Sequence, residues 1–194
     1  MTLDALIREA EIAHGHLCAG QILGVRLAML GLATLGIEDP RNNKKDRKRL
    51  VTFVEIDRCA TDAIGVVTGC RLGKRALKFR DWGKMAATFV DLETGKAIRI
   101  AAKESSKKLA RDLHPEIEDK NKQQMLAYRE MKDDDLFSMQ WVKVELPAEE
   151  FPGYKGERIV CAECGEGINF RREVERDGRI LCRACAGERY YDLL

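Results

Sequence analysis

Four cysteines near the C-terminus constrain this chain more tightly than any other feature. Cys161 and Cys164 are two residues apart, Cys182 and Cys185 repeat the spacing, and seventeen residues separate the pairs. Two Cys-x-x-Cys turns at that separation are the pattern of a four-thiolate zinc site, each turn facing two sulfurs toward one ion. Gly165, directly after Cys164, supplies the positive φ that such a knuckle needs. Phe170 to Leu181 reads as two short strands turning at Asp177-Gly178, and Arg183 to Tyr191 as a helix. Knuckle, hairpin and helix together predict a treble-clef finger over residues 157–194. A segment this short does not fold on apolar burial alone, so Zn2+ is expected to supply the missing free energy. Rubredoxin-like iron in the same sulfurs is the alternative. Thioredoxin chemistry would need one reactive pair in a βαβ setting, and haem attachment a His after the second Cys.

The remaining chain is long enough for one well-packed core, assigned to residues 1–150. With 45% hydrophobic and 34% charged residues the composition is that of a globular protein. The net charge of +2 gives no electrostatic case for nucleic acid or an anionic membrane. From Phe151 onward eight basic residues balance eight acidic ones, which suits a structural or protein-contacting finger better than one that reads nucleic acid. Seven cysteines, an odd number, and an N-terminus without the basic flank and apolar run of a signal peptide predict a cytoplasmic protein with metal-bound or free thiols.

Leu17 to Ile37 is nearly all apolar and about long enough to span a bilayer. It contains Gln21 and Arg26, and a mid-helix Arg costs roughly 2.5–3.5 kcal/mol on insertion. A buried helix to about Leu35, ended by Gly36, is therefore expected instead of a membrane span. Gly20, Gly24 and Ala28 form a strip on it that lets another backbone approach, inside the fold or across a subunit interface. Residues 3–13 predict an amphipathic helix capped by Thr2.

Residues 41–49 form a basic run without interleaved aromatics, read as a solvated loop. Strands are expected at 50–57, around Leu77 and Phe79, and at 141–146. Residues 88–90 and 98–100 form a hairpin through Glu93-Thr94-Gly95-Lys96. Helices are expected at 60–68, closed by Gly69, at 105–113 and at 122–131. Pro147 to Gly156 reads as a linker. Helices, strands and helices again, without a βαβ repeat, indicate an α+β fold with an antiparallel sheet.

Five residues outside the finger carry metal-binding chemistry: His14, His16, Cys18, Cys59 and Cys70. Imidazole and thiolate are preferred ligands of zinc and other transition metals. Cys59 lies where a strand meets a helix N-terminus, a position expected to favour thiolate. Asp62, Thr68 and Lys74 flank these positions as proton-handling or supporting groups. The bland alternative is that Cys18 and Cys70 are buried small hydrophobes and the histidines satisfied loop residues. Gly69-Cys-Arg-Leu-Gly73-Lys74-Arg75 is one residue short of a P-loop and lacks the Ser/Thr that binds magnesium, so a nucleotide reading is set aside.

His14-Gly-His16-Leu-Cys18-Ala-Gly20, Cys59-Ala-Thr-Asp62-Ala-Ile, Thr68-Gly-Cys70, Gly73-Lys74 and Phe79-Arg-Asp-Trp82-Gly83-Lys84 together resemble the FmdE family, named for molybdenum or tungsten formylmethanofuran dehydrogenase. The resemblance spans most of residues 10–104. It differs at Ala19, where Pro is common, at Gly65, where Gln is common, and at Arg75-Ala76, where Gly-Asn is common. The resemblance implies an α+β core that dimerises, with the His/Cys positions lining a cleft that binds a metal or cofactor. It implies a treble-clef finger in some members, and association with a molybdo- or tungsto-enzyme complex of methanogenesis. The expectation is thus an oxidoreductase-associated, metal-binding accessory protein. His14, Cys18, Thr68 and Cys70 would bind the cofactor, His16 and Cys59 would ligate a second metal, and Asp62 and Lys74 would join His16 and Cys59 in any chemistry. A stand-alone metal-dependent enzyme using the same cleft is the alternative, and a zinc-finger transcriptional regulator a third.

Overall fold

The computed structural model describes residues 2–193. The chain divides into two compact units, Met1–Glu145 and Leu146–Leu194. In the first, helix α1 (Leu3–His14) begins where the Thr2 hydroxyl accepts from the Ala5 amide and ends at Gly15, whose φ of 96° only glycine adopts freely. Leu6, Ile7 and Ala10 form its buried face. Helix α2 (Ala19–Leu35) follows and is buried along most of its length, as its apolar run requires.

The two polar side chains that argued against a membrane segment find partners inside the protein. Buried Gln21 donates to the Ala10 carbonyl of α1. Arg26 reaches helix α6 (Lys120–Glu130), donating to the Tyr128 carbonyl at 2.8 Å and the Met131 carbonyl at 2.5 Å, and to Asp133 at 2.6 Å. A guanidinium at those helix-end carbonyls satisfies groups that have no intrahelical donor. Among the described residues no helix is long and apolar enough to cross a membrane.

The sheet has five strands in the order β2-β1-β3-β4-β5: β1 (Leu50–Val54), β2 (Leu77–Phe79), β3 (Ala86–Asp91), β4 (Ala97–Ala102) and β5 (Phe137–Val142). All pairings are antiparallel except β1 with β2, which is parallel and bridged by helix α4 (Cys59–Thr68). The α+β character holds, with one βαβ unit inside it that the element order did not reveal. Phe89 and Ile98 face one another on one side of the sheet, and Ala87 and Ile100 form the next pair on that side. All four are buried against the helices. Phe53, Thr88, Arg99 and Gln140 are in register across the other face.

Two glycines of α2 set how closely these layers approach. A Cβ at Gly24 would lie 2.5 Å from the Ala60 carbonyl oxygen of α4, and one at Gly31 would lie 2.2 Å from the Phe89 ring. The small-residue strip therefore serves packing inside the fold.

Several expected elements shift. The basic run is not a loop throughout: Lys44–Arg49 forms a short helix, α3, with Asn43 capping the Lys45 amide and Asp46 turned inward. The last strand is Phe137–Val142 and not 141–146, because an edge strand exposes residues on both faces and loses its alternation. At β2 the alternation is broken, with Lys78 buried and Phe79 38% exposed. Helix α5 (Ser105–Leu113) starts as expected, α6 starts two residues early at its Asp119 cap, and a short helix α7 (Asp133–Leu136) went unread.

The second unit holds two hairpins, β6 (Ile159–Val160) with β7 (Gly167–Ile168) and β8 (Val174–Arg176) with β9 (Arg179–Leu181). The helix expected at 183–191 is a single turn. The Glu188 amide bonds back to the Arg183 carbonyl and Gly187 takes φ 103°, which closes the turn and stops propagation.

Gly24→Ala is expected to destabilise the chain by roughly 1–3 kcal/mol, because the methyl meets backbone that cannot yield. Ordinarily the same change in a helix stabilises by about 1 kcal/mol. Urea unfolding of the variant checks the sign.

Candidate metal centres

In the finger, Cys161, Cys164, Cys182 and Cys185 bring their sulfurs within 4.8 Å of one another. Zinc–sulfur bonds of about 2.3 Å in a tetrahedron set neighbouring sulfurs about 3.8 Å apart. Cys164 Sγ and Cys182 Sγ are 3.9 Å apart, so the donor set fits the ion. Backbone amides support thiolate here: Cys182 N donates to Cys161 Sγ at 3.2 Å, and Cys185 N donates to Cys182 Sγ at 3.4 Å. Amide donation from Cys164, Cys182 and Glu163 lowers the Cys161 pKa to about 6. At Cys164 the Glu166 amide also lowers the pKa, but desolvation and the neighbouring thiols prevail and push it up to about 12. Thiolate ligands must be deprotonated, so a dication bound by these sulfurs displaces their protons. Among the described residues, Cys161, Ile168, Leu181 and Ala186 form this unit's buried cluster, which is too small to hold it without metal.

The second constellation forms where α1, α2 and α4 meet. His14 is the last residue of α1 and Cys18 caps α2, with His16 in the turn between them. Cys59 opens α4, and Asp62 lies three residues on, on the same side of its first turn. His14 Nδ1 and Asp62 Oδ2 are 2.7 Å apart, and the His14 and His16 rings have centroids 4.8 Å apart. The two thiols flank Gly20, whose missing Cβ would lie 3.6 Å from Cys59 Cβ and 3.7 Å from Cys18 Sγ. Burial pushes the Cys59 thiol up, and its hydrogen bond with the Cys18 thiol adds to the rise. That reverses the expected thiolate. Backbone donation at the helix end lowers the pKa, but burial and the shared proton outweigh it.

Not every expected residue joins this cluster. Thr68 is the last residue of α4, about 14 Å along the helix from Cys59, and Cys70 lies just past that end. Both are buried, with Thr68 donating to the Ile64 carbonyl and accepting from the Cys70 amide, and the Thr52 hydroxyl donating to Cys70 Sγ at 3.5 Å. Their surroundings are those of core residues, and burial pushes the Cys70 thiol up. Lys74 ends an exposed 3-10 turn (Leu72–Lys74) and lines a groove with Arg41, Arg47 and Arg71. Among the described residues, the finger cysteines are the one group of three or more His, Cys, Asp or Glu gathered within 4.8 Å.

The structure also shows a pair that the sequence reading missed. Glu55 and Arg99 form two hydrogen bonds of 2.7 Å on the outer face of the sheet, in a groove shared with Arg80 and Trp82. A glutamate at the end of an otherwise apolar strand was the available signal.

Residues 13–138 match the model of the family described as FmdE, molybdenum formylmethanofuran dehydrogenase operon. The chain belongs to this family. Residues 154–191 match the prokaryotic dksA/traR C4-type zinc finger, so an FmdE domain is here joined to a zinc finger and the chain is a metal-binding protein. A probable S-adenosyl-L-methionine-binding protein of Archaeoglobus fulgidus is 30% identical across 97% of the chain. The chain spans only 54% of that relative's length. A crystal structure of a tungsten formylmethanofuran dehydrogenase FmdE-like protein from Syntrophus aciditrophicus superposes with a TM-score of 0.65. It covers 98% of this chain and 95% of its own at 18% identity, which establishes a shared fold.

Cys182→Ser is expected to abolish zinc in the finger and the dispersion of its amide resonances, while the FmdE domain keeps its own unfolding transition. Emission spectrometry and amide NMR of the full chain read both effects.

Proposed function

We propose that this chain is an accessory protein of a molybdo- or tungsto-enzyme system, with a metal- or cofactor-binding site in its FmdE domain and a finger that contacts a partner protein. The observation that carries the core site is the juxtaposition of the Cys18 and Cys59 thiols at two helix N-termini, with His14 held by Asp62 from the same first turn of α4 as Cys59. Asp62 accepts from Nδ1–H of His14, which fixes the tautomer and leaves Nε2 with the lone pair a metal needs. Two helix N-termini favour the thiolates that metal binding would create. Burial pushes the Cys59 thiol up, so a cation that binds there must displace its proton. His14, His16, Cys18 and Cys59 are the proposed ligands, with a zinc-class or other transition ion as their occupant. The family resemblance also supports a homodimer.

The charge balance of the finger favours a protein partner over nucleic acid. A second ligand follows from the Archaeoglobus relative, whose name gives S-adenosyl-L-methionine and which matches nearly the whole chain. Calorimetric titration of that compound into the full chain tests it directly.

For the metal, anaerobically purified full-length protein should carry two ions per chain. The Cys18→Ala/Cys59→Ala double variant should retain only the finger's zinc. One ion per chain in the parent after reconstitution with zinc or ferrous iron, or two in the double variant, would sink the core site.

A further inference from the structure

Two basic segments that looked unrelated in sequence meet in the fold. The run at 41–49 supplies Arg41 and Arg47, and the 69–75 turn supplies Arg71 and Lys74. Together with Glu9, Ile12, Ala13, Val66 and Gly69 they line one open groove of about 400 Å³. Four cations against one carboxylate concentrate positive charge in a protein whose whole net charge is only +2. Glu9 is already committed to Arg41, as their ion pair shows. Among the described residues Arg47, Arg71 and Lys74 have no carboxylate partner.

Arg71 is also positioned. Its guanidinium packs over α4, where a Cβ on Gly65 would lie 2.7 Å from Nη1, and it donates to the Cys70 carbonyl at 3.1 Å. Arg41 lies similarly over Gly69, with its Cγ 3.3 Å from where a Cβ would be. Gly65 therefore leaves room for the Arg71 guanidinium, whose fork-shaped donors suit an oxyanion, and Gly69 leaves room for the stem of Arg41. Ile12, 82% exposed at the rim, adds an apolar contact beside the charges.

We propose that this groove binds a small phosphorylated molecule, with Arg47, Arg71 and Lys74 holding the phosphate and Ile12 and Val66 contacting its body. The volume falls within the range for a small-molecule site and is too small for a macromolecular footprint. None of the proposed metal ligands lines the groove, so the proposal does not depend on the core metal.

The test uses full-length, zinc-loaded protein titrated with inorganic phosphate and, separately, with adenosine monophosphate. Amide NMR should show saturable shifts at 41–47 and 65–75 for both, larger and tighter for the nucleotide if an organic body is part of the ligand. The exposed charge reversals Arg47→Glu/Lys74→Glu should weaken binding by roughly tenfold or more, since hydrogen bonds to charged groups are lost. Reversal at the remote Lys143, 85% exposed in its side chain, should leave it within about twofold, since screening removes distant charges. Gly65→Ala keeps every charge but displaces the Arg71 guanidinium, so it should weaken binding while the fold, relieved of a helical glycine, stays intact. Absence of saturable shifts at millimolar ligand would overturn the proposal. Equal loss from Lys143→Glu would do the same, as would affinity seen only with oligonucleotides and growing with their length.

Discussion

The packing of α2 on α4 at Gly24 governs the rest of the core. Because Gly24 has no side chain, the two helix backbones meet at the Ala60 carbonyl with no intervening layer. That approach fixes where the N-termini of both helices lie, and hence where Cys18 and Cys59 stand. It also sets the depth of α2 over the sheet, where Gly31 admits the edge of Phe89. An architecture built on backbone contact resists adjustment, since neither partner has a rotamer to change. The candidate core site is a consequence of this packing more than of any local motif.

Much of the fold could be read from the sequence because its boundaries are written in residues with a single conformational use. Gly36 and Gly69 each take positive φ at the end of a helix, and each was readable as a stop. The turn at Asp91–Gly95 was legible for the same reason: buried Asp91 accepts from the Glu93 amide and the Thr94 hydroxyl. What escaped were features decided by distant partners. Lys78 is buried and Phe79 exposed through their position in the sheet, and β5 carries no alternation because it is an edge. The bidentate Glu55–Arg99 pair joins residues 44 apart, for which sequence offers no periodicity.

The two metal-binding candidates were legible to different degrees. Finger ligands lie in two local turns, so spacing alone predicts that their sulfurs converge. The core residues come from three helices, and spacing predicted too many of them. Cys70 looked equivalent to Cys59 in the sequence, yet the length of α4 separates them and makes one a core residue. Lys74 likewise belongs with the arginines of a basic groove, although it is close in sequence to the family motif. The helix that should have followed Cys182 was stopped by Gly187, a residue visible in the sequence whose role depends on one bond from Glu188 to Arg183.

We propose an FmdE domain with a mixed imidazole and thiolate centre, joined to a separate four-sulfur zinc finger. X-ray absorption at the metal edge of anaerobically prepared, full-length protein tests it most directly. Two populations of metal are expected, one with a first shell of sulfur alone near 2.3 Å, about the zinc–thiolate distance, and one with sulfur and imidazole nitrogen together. A spectrum fitted entirely by four sulfurs, in protein reconstituted with excess zinc, would contradict it.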